Sequence, residues 1–129
     1  GRVPWELMSL YYRAASVFVL PGRGGMVISE AMCHGLPVIV FQADGTEFDL
    51  VQHNHSGFRI TDGTSRSFSS AILSLYYDPA RSRSMGVAGQ SLVEQRFSQH
   101  SAKDALLESL FYAKKSRSSF RQTFSKYFG

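Results

Sequence analysis

The sequence predicts an α/β fold with a parallel, Rossmann-like sheet and flanking helices, and three observations carry that prediction. Two short continuous apolar runs, 17–20 and 37–41, are bounded by proline and glycine, the pattern of strands buried on both faces. Segments with apolar residues every three or four positions alternate with such runs. The connections are short, so strand, helix, strand, helix, strand reads as consecutive βαβ units with right-handed crossovers.

Each element follows in order. Residues 5–15 read as a helix, with Leu7, Leu10, Tyr11 and Ala14 as its stripe and Pro4 in the first turn. The run 17–20 is a strand stopped by Pro21-Gly22. After Gly22-Arg23-Gly24-Gly25 comes a helix over 26–34, ended by Gly35 as a carboxy-terminal cap. Residues 37–41 form a second strand. Asp44-Gly45 breaks the chain, and a third helix runs over 46–52, with Thr46 and Asp49 in a capping-box relation. Residues 57–60 are a third strand. Helical patterns then cover 67–77, 80–94 and 101–112, with Asp78-Pro79 separating the first two. Three strands are few for such a sheet, so its first strands are expected upstream of Gly1.

Composition narrows the function classes. The 129 residues are enough for one domain, and 43% hydrophobic with 19% charged residues excludes wholesale disorder. A single cysteine, Cys33, cannot form an internal disulfide, which excludes a disulfide-framed secreted domain and makes a reducing cytoplasm the expected setting. The apolar runs are far shorter than the roughly 20 residues a bilayer span needs. The chain opens on Gly1-Arg2-Val3, with no signal peptide and no initiator methionine, and reads as part of something larger. A net charge of +4 is mild: it fits a small anionic ligand, an acidic membrane surface or nothing in particular, it is weak support for nucleic acid, and no nucleic-acid partner is expected.

In open α/β sheets ligands bind beyond the carboxyl ends of the strands. The loops 21–25 and 42–45 leave two such ends, contain glycine and feed helix amino termini, whose N–H groups favour a phosphate. The alternative is a plain strand-to-helix turn, and the G-x-G-x-x-G dinucleotide spacing is missing. On the second helix Val27, Ile28 and Ala31 share an apolar face, with Glu30 opposite them beside Cys33 and His34. A carboxylate there can accept from the two vicinal hydroxyls of a ribose, or be a solvated surface group. Arg23, among glycines, can reach a phosphate. Glu47 suits the helix dipole, and Asp49 is left open. His53 and His55 have too few potential co-ligands for an expected metal site.

The ordered motifs resemble a known family. Tyr11-Tyr12-Arg13-Ala14-Ala15-Ser16-Val17-Phe18-Val19-Leu20-Pro21 resembles "LYRxADVFVLPS", and Ser29-Glu30-Ala31-Met32-Cys33-His34-Gly35-Leu36-Pro37-Val38-Ile39 resembles "LEAMACGLPVI". Both mark the retaining GT-B glycosyltransferases of the group 1, or family 4-like, type. Gly45 to Asp49 with Gly57-Phe58 is similar to "GGxPExxxxGxxGF". Asp78-Pro79-Ala80-Arg81, Met85-Gly86 and Arg96-Phe97-Ser98 are similar to "DPxxR…MG…RFS", and Gly1 and Val3 to "GxV". The resemblance covers about residues 1–112.

It implies the carboxy-terminal half of a GT-B fold, a nucleotide-sugar donor-binding domain over 1–112. It makes Glu30 the second glutamate of the E-x7-E motif, which binds the donor ribose. It puts the backbone of Gly24, Gly25 and Met26 against sugar and diphosphate, and the loop through Gly45 and Thr46 along the same crevice. The substrate implied is an NDP-sugar, UDP- or GDP-linked, with no cofactor and no metal, in a setting such as cell-surface polysaccharide synthesis. The partner implied is an amino-terminal acceptor domain, without which this chain should not turn over.

There are departures. Gly22 stands eight positions before Glu30, where the family has its first glutamate, and the loop is about three residues shorter. Asp49 and Phe48 replace the Glu and Pro of "GGxPE". These departures keep two alternatives open, an inactive scaffold domain and a GT-B-type sugar-nucleotide epimerase. Residues 113–129 form a basic aromatic tail with Phe120, Phe124, Tyr127 and Phe128 on one helical face. That face suits either an anionic membrane surface, making the protein peripheral at the inner face, or packing on the amino-terminal domain.

Overall fold

The structure is a computed structural model, and it describes residues 3–43 and 45–97. Residues 1–94 form one compact unit; a second begins at Gln95, of which only 95–97 are described. The expected helix over 101–112 and the tail 113–129 lie outside the described residues.

The elements alternate as expected: α1 (Trp5–Ala14), β1 (Phe18–Leu20), α2 (Met26–Cys33), β2 (Val38–Phe41), α3 (Thr46–Leu50), β3 (Gly57–Ile60), α4 (Ser65–Tyr77) and α5 (Pro79–Phe97). The sheet runs β1-β2-β3 and is parallel throughout, with Leu20 opposite Val40 and Phe41 opposite Ile60.

Central strand β2 explains why helices cover both faces. Val38, Ile39 and Val40 are wholly buried, and successive side chains point to opposite sides. Val38 and Val40 join Tyr12, Ile28, Ala31, Met32, Leu36, Leu50, Val51 and Val93 on one face. Ile39 joins Phe58, Phe68, Ala71, Leu75 and Met85 on the other. Each such side chain contributes roughly 1.5–3 kcal/mol by leaving water.

The ends of α2 and α4 are well defined. Gly35, at φ +71°, closes α2: its N–H reaches the Met32 carbonyl at 2.9 Å, and that of Leu36 reaches Ala31 at 3.2 Å. This paired pattern uses the left-handed residue that glycine adopts most readily. Thr64 caps α4, its hydroxyl accepting from the Ser67 N–H at 3.2 Å.

Four expectations change. Strand β1 is half-buried along its length, because among the described residues it pairs on one side only. On α1 the expected stripe of Leu7, Leu10, Tyr11 and Ala14 is exposed, while Tyr12 and Met8 face the core. On α2 the buried face is Ile28, Ala31 and Met32, and Val27 is 37% exposed. Helix α3 stops at Leu50, and its cap falls on Gly45 rather than Thr46.

Candidate functional site

Because β1 and β2 are adjacent and parallel, the loops following Leu20 and Phe41 leave the same end of the sheet. The first carries Gly22, Arg23, Gly24 and Gly25. None of these glycines has a positive φ, so the turn does not demand glycine for its backbone angles. A Cβ at Gly22 would meet nothing within 4 Å. One at Gly24 would press on the Val27 and Leu20 side chains at 3.0 and 3.2 Å. Space is therefore open beside Gly22, while Gly24 lies against side chains. Arg23 is exposed, and Met26, the first residue of α2, is 89% exposed.

Gly25 is the amino-terminal cap of α2, and no side chain caps the helix there. Its carbonyl accepts from Ile28 at 3.1 Å and Ser29 at 3.3 Å. The N–H groups of the first turn point away from the helix body with partial positive charge, a setting that suits an anion.

The second loop ends in Gly45, exposed and at φ +96°. This left-handed turn directs Glu47 inward. Glu47 is fully buried, and its Oε2 accepts from the Gly45 N–H at 3.2 Å. The carboxylate that the sequence assigns to the helix dipole thus accepts from the cap residue of its own helix. The only sequence signal was its position two residues after a glycine cap. Asp49 is exposed. So is Phe48, and the Arg59 guanidinium lies 4.1 Å from its ring centre. Asp44 and the Thr46 side chain lie outside the described residues.

Glu30 sits on the exposed face of α2, as the helical wheel required. The structure adds two neighbours. The Tyr12 hydroxyl donates to Glu30 Oε2 at 3.4 Å. His34 Nδ1 lies 2.9 Å from the Glu30 carbonyl oxygen, and since a carbonyl can only accept, Nδ1 carries the proton. The Tyr12 and His34 rings are 5.0 Å apart. Burial, then the Glu30 charge and the bond to it, push the Tyr12 phenol above its ordinary value.

Of the expected residues, Gly25, Met26 and Glu30 belong to one helix terminus or its first turns. Gly22, Arg23 and Gly24 lead into it, Gly45 ends the neighbouring loop and Thr46 begins α3. A separate cleft of about 530 Å³ opens near the residues preceding the strands, lined in part by Tyr12, Arg13, His34, Tyr76 and Arg83. No helix among the described residues is long and apolar enough to cross a membrane.

Known proteins resemble this chain in sequence and fold. Residues 1–78 match the family model described as glycosyl transferases group 1. The chain is 31% identical over 119 residues to the amylovoran biosynthesis glycosyltransferase AmsK of Erwinia amylovora, covering 85% of this chain and 29% of that protein. It is 30% identical over 103 residues to a GDP-mannose-dependent alpha-(1-6)-phosphatidylinositol monomannoside mannosyltransferase of Mycobacterium tuberculosis, covering 72% and 26%. It therefore spans under a third of the length of these relatives.

Among solved structures it superposes on sucrose-phosphate synthase from Thermosynechococcus elongatus with a TM-score of 0.73 and 29% identity, over 88% of this chain and 30% of that one. It superposes on Anabaena HepE, solved with UDP-glucose, with a TM-score of 0.69 and 27% identity, over 79% and 29%. The parallel sheet with flanking helices matches these GT-B glycosyltransferase structures, and with the family match over residues 1–78 it shows that the chain belongs to the group 1 glycosyl transferases.

Proposed function

We propose that this chain is the donor-binding half of a retaining glycosyltransferase, working beside an amino-terminal acceptor domain in a longer protein. One observation carries the reading. A helix amino terminus with no side-chain cap, reached through a glycine loop, carries an exposed carboxylate just over one turn along. The N–H groups of that terminus suit a diphosphate, and Glu30 suits the ribose hydroxyls.

In this reading the nucleotide lies across α2. The α2 N–H groups stabilise charge developing on the departing diphosphate, and Glu30 holds the nucleoside so that the anomeric carbon is placed for transfer. Gly24, Gly25 and Met26 supply main-chain contacts, Arg23 a mobile charge, and Gly45 and Thr46 the facing wall. The solved HepE complex with UDP-glucose and the amylovoran relative support an NDP-sugar donor and a polysaccharide pathway. Chemistry needs no group from this chain beyond binding and positioning.

The test is nucleotide binding by the full-length protein, read by ligand-observed NMR with UDP, GDP, ADP and CMP. One nucleotide should bind selectively, and Glu30→Ala should weaken it about 10- to 150-fold, the span of one charge-assisted hydrogen bond. Binding untouched by that substitution removes Glu30 from the ribose site. Failure of the full-length protein to bind any of the four favours the scaffold alternative, which Gly22 in place of the first glutamate already motivates.

A further inference from the structure

We infer that Tyr12 is a positioning residue for Glu30, holding one carboxylate oxygen so that the group meets a ribose diol in a set orientation. The inference rests on the donor-binding reading above and adds a residue to it.

Glu30 stands on an exposed helix face, where an unrestrained glutamate samples several rotamers. Tyr12 is the opposite case. It is 6% exposed and belongs to the core cluster beneath α1 and α2. Its ring lies 6.1 Å from that of Phe18 and 5.0 Å from that of His34. A ring packed in this way has little freedom, so its hydroxyl is a fixed point at the core boundary. That hydroxyl faces Glu30 Oε2 at 3.4 Å. His34 braces the same turn through the Glu30 carbonyl.

The bond tolerates wide changes of pH. Burial and the neighbouring carboxylate both hold the phenol protonated to higher pH than a free tyrosine, so it remains a donor throughout the neutral range. A carboxylate has about four acceptor positions, so one bond to Tyr12 leaves capacity for two vicinal hydroxyls. Prior ordering of a binding group lowers the entropy lost when ligand arrives. Tyr12 would thus act on affinity through Glu30 without touching the nucleotide.

The test uses the full-length protein with UDP and GDP, each beside its 2′,3′-dideoxy counterpart. The readout is the ratio of dissociation constants, dideoxy over ribo. In wild type the ratio should be about tenfold or more, and in Glu30→Ala it should fall near one. Tyr12→Phe keeps the packed ring and removes only the hydroxyl. It should lower the ratio several-fold while leaving dideoxy affinity unchanged. A merely structural role would weaken both nucleotides alike and keep the ratio.

A retained ratio in Tyr12→Phe, alongside a lost one in Glu30→Ala, overturns the inference and leaves donor binding standing. A ratio unchanged in Glu30→Ala, or no binding by wild type, overturns the donor reading and the inference with it. A second measurement needs no change at Tyr12. With 13C-labelled tyrosine, Glu30→Gln should move the Tyr12 phenol titration to lower pH, and an unmoved titration shows the two groups do not meet.

Discussion

Single atoms decide several features of this molecule. A Cβ on Gly86 would run into the Gly35 carbonyl, and one on Gly57 into the Val38 carbonyl. In each case the obstacle is backbone and cannot rotate aside. Gly86→Ala and Gly57→Ala should each destabilise by roughly 1–3 kcal/mol, seen as a fall of several degrees in Tm. Gly22→Ala is the contrast, since its Cβ meets open space and its φ is not positive. It should change stability by less than about 0.5 kcal/mol. The lack of a glutamate at Gly22 is therefore not imposed by the backbone. Residues of this kind divide by legibility. Glu30 could be placed from a helical wheel alone. Tyr12 could not be joined to it, because the two are 18 positions apart and their contact depends on how α1 packs over α2. Glu47 stands in the first turn of α3 as expected, and its burial is what the sequence could not supply.

At the level of elements, the caps matter most. The start of α4 is held by Asp62, Thr64 and Ser67. The Ser67 hydroxyl donates to Asp62 Oδ2 at 2.7 Å, and the Thr64 N–H to Oδ1 at 3.1 Å. These bonds, that of Ser67 first, hold the Asp62 carboxyl below its ordinary value. A depressed carboxyl supports folding above its unfolded pKa and loses that share as pH falls through the native one. The Tm of wild type should therefore exceed that of Asp62→Asn near pH 7. The gap should close as pH is lowered below about 4, measured by thermal melts across that range. Thr64→Ala should cost about 1 kcal/mol near pH 7, the usual value of a lost cap, and less at low pH, because the Thr64 hydroxyl also donates to Asp62 Oδ2 at 3.2 Å. Helix α1 shows where periodicity misleads. Leu7, Leu10, Tyr11 and Ala14 share a regular spacing, yet burial falls to Met8 and Tyr12. A stripe reports that a helix is amphipathic, and tertiary packing chooses which flank turns inward.

Over the whole molecule, the order of strands and helices and the parallel sheet were legible because apolar runs and glycine boundaries alternate without ambiguity. Strand β1 was read as buried on both faces from its composition, but burial also needs a neighbour on each side. That information is not local. The placing of both glycine loops at the carboxyl end of the sheet was legible because the topology of adjacent parallel strands requires it. What sequence could not provide was the interior link from core to site through Tyr12. The arrangement also has a practical side. The sequence has one cysteine, and Cys33 is exposed three positions after Glu30 on the same helix. Within this chain a thiol-reactive fluorophore would attach at one place. Emission from that dye should change when UDP or GDP settles on α2, and Glu30→Ala should silence the change. This stretch of chain thus carries its own attachment point for an optical sensor of the ligand proposed for α2.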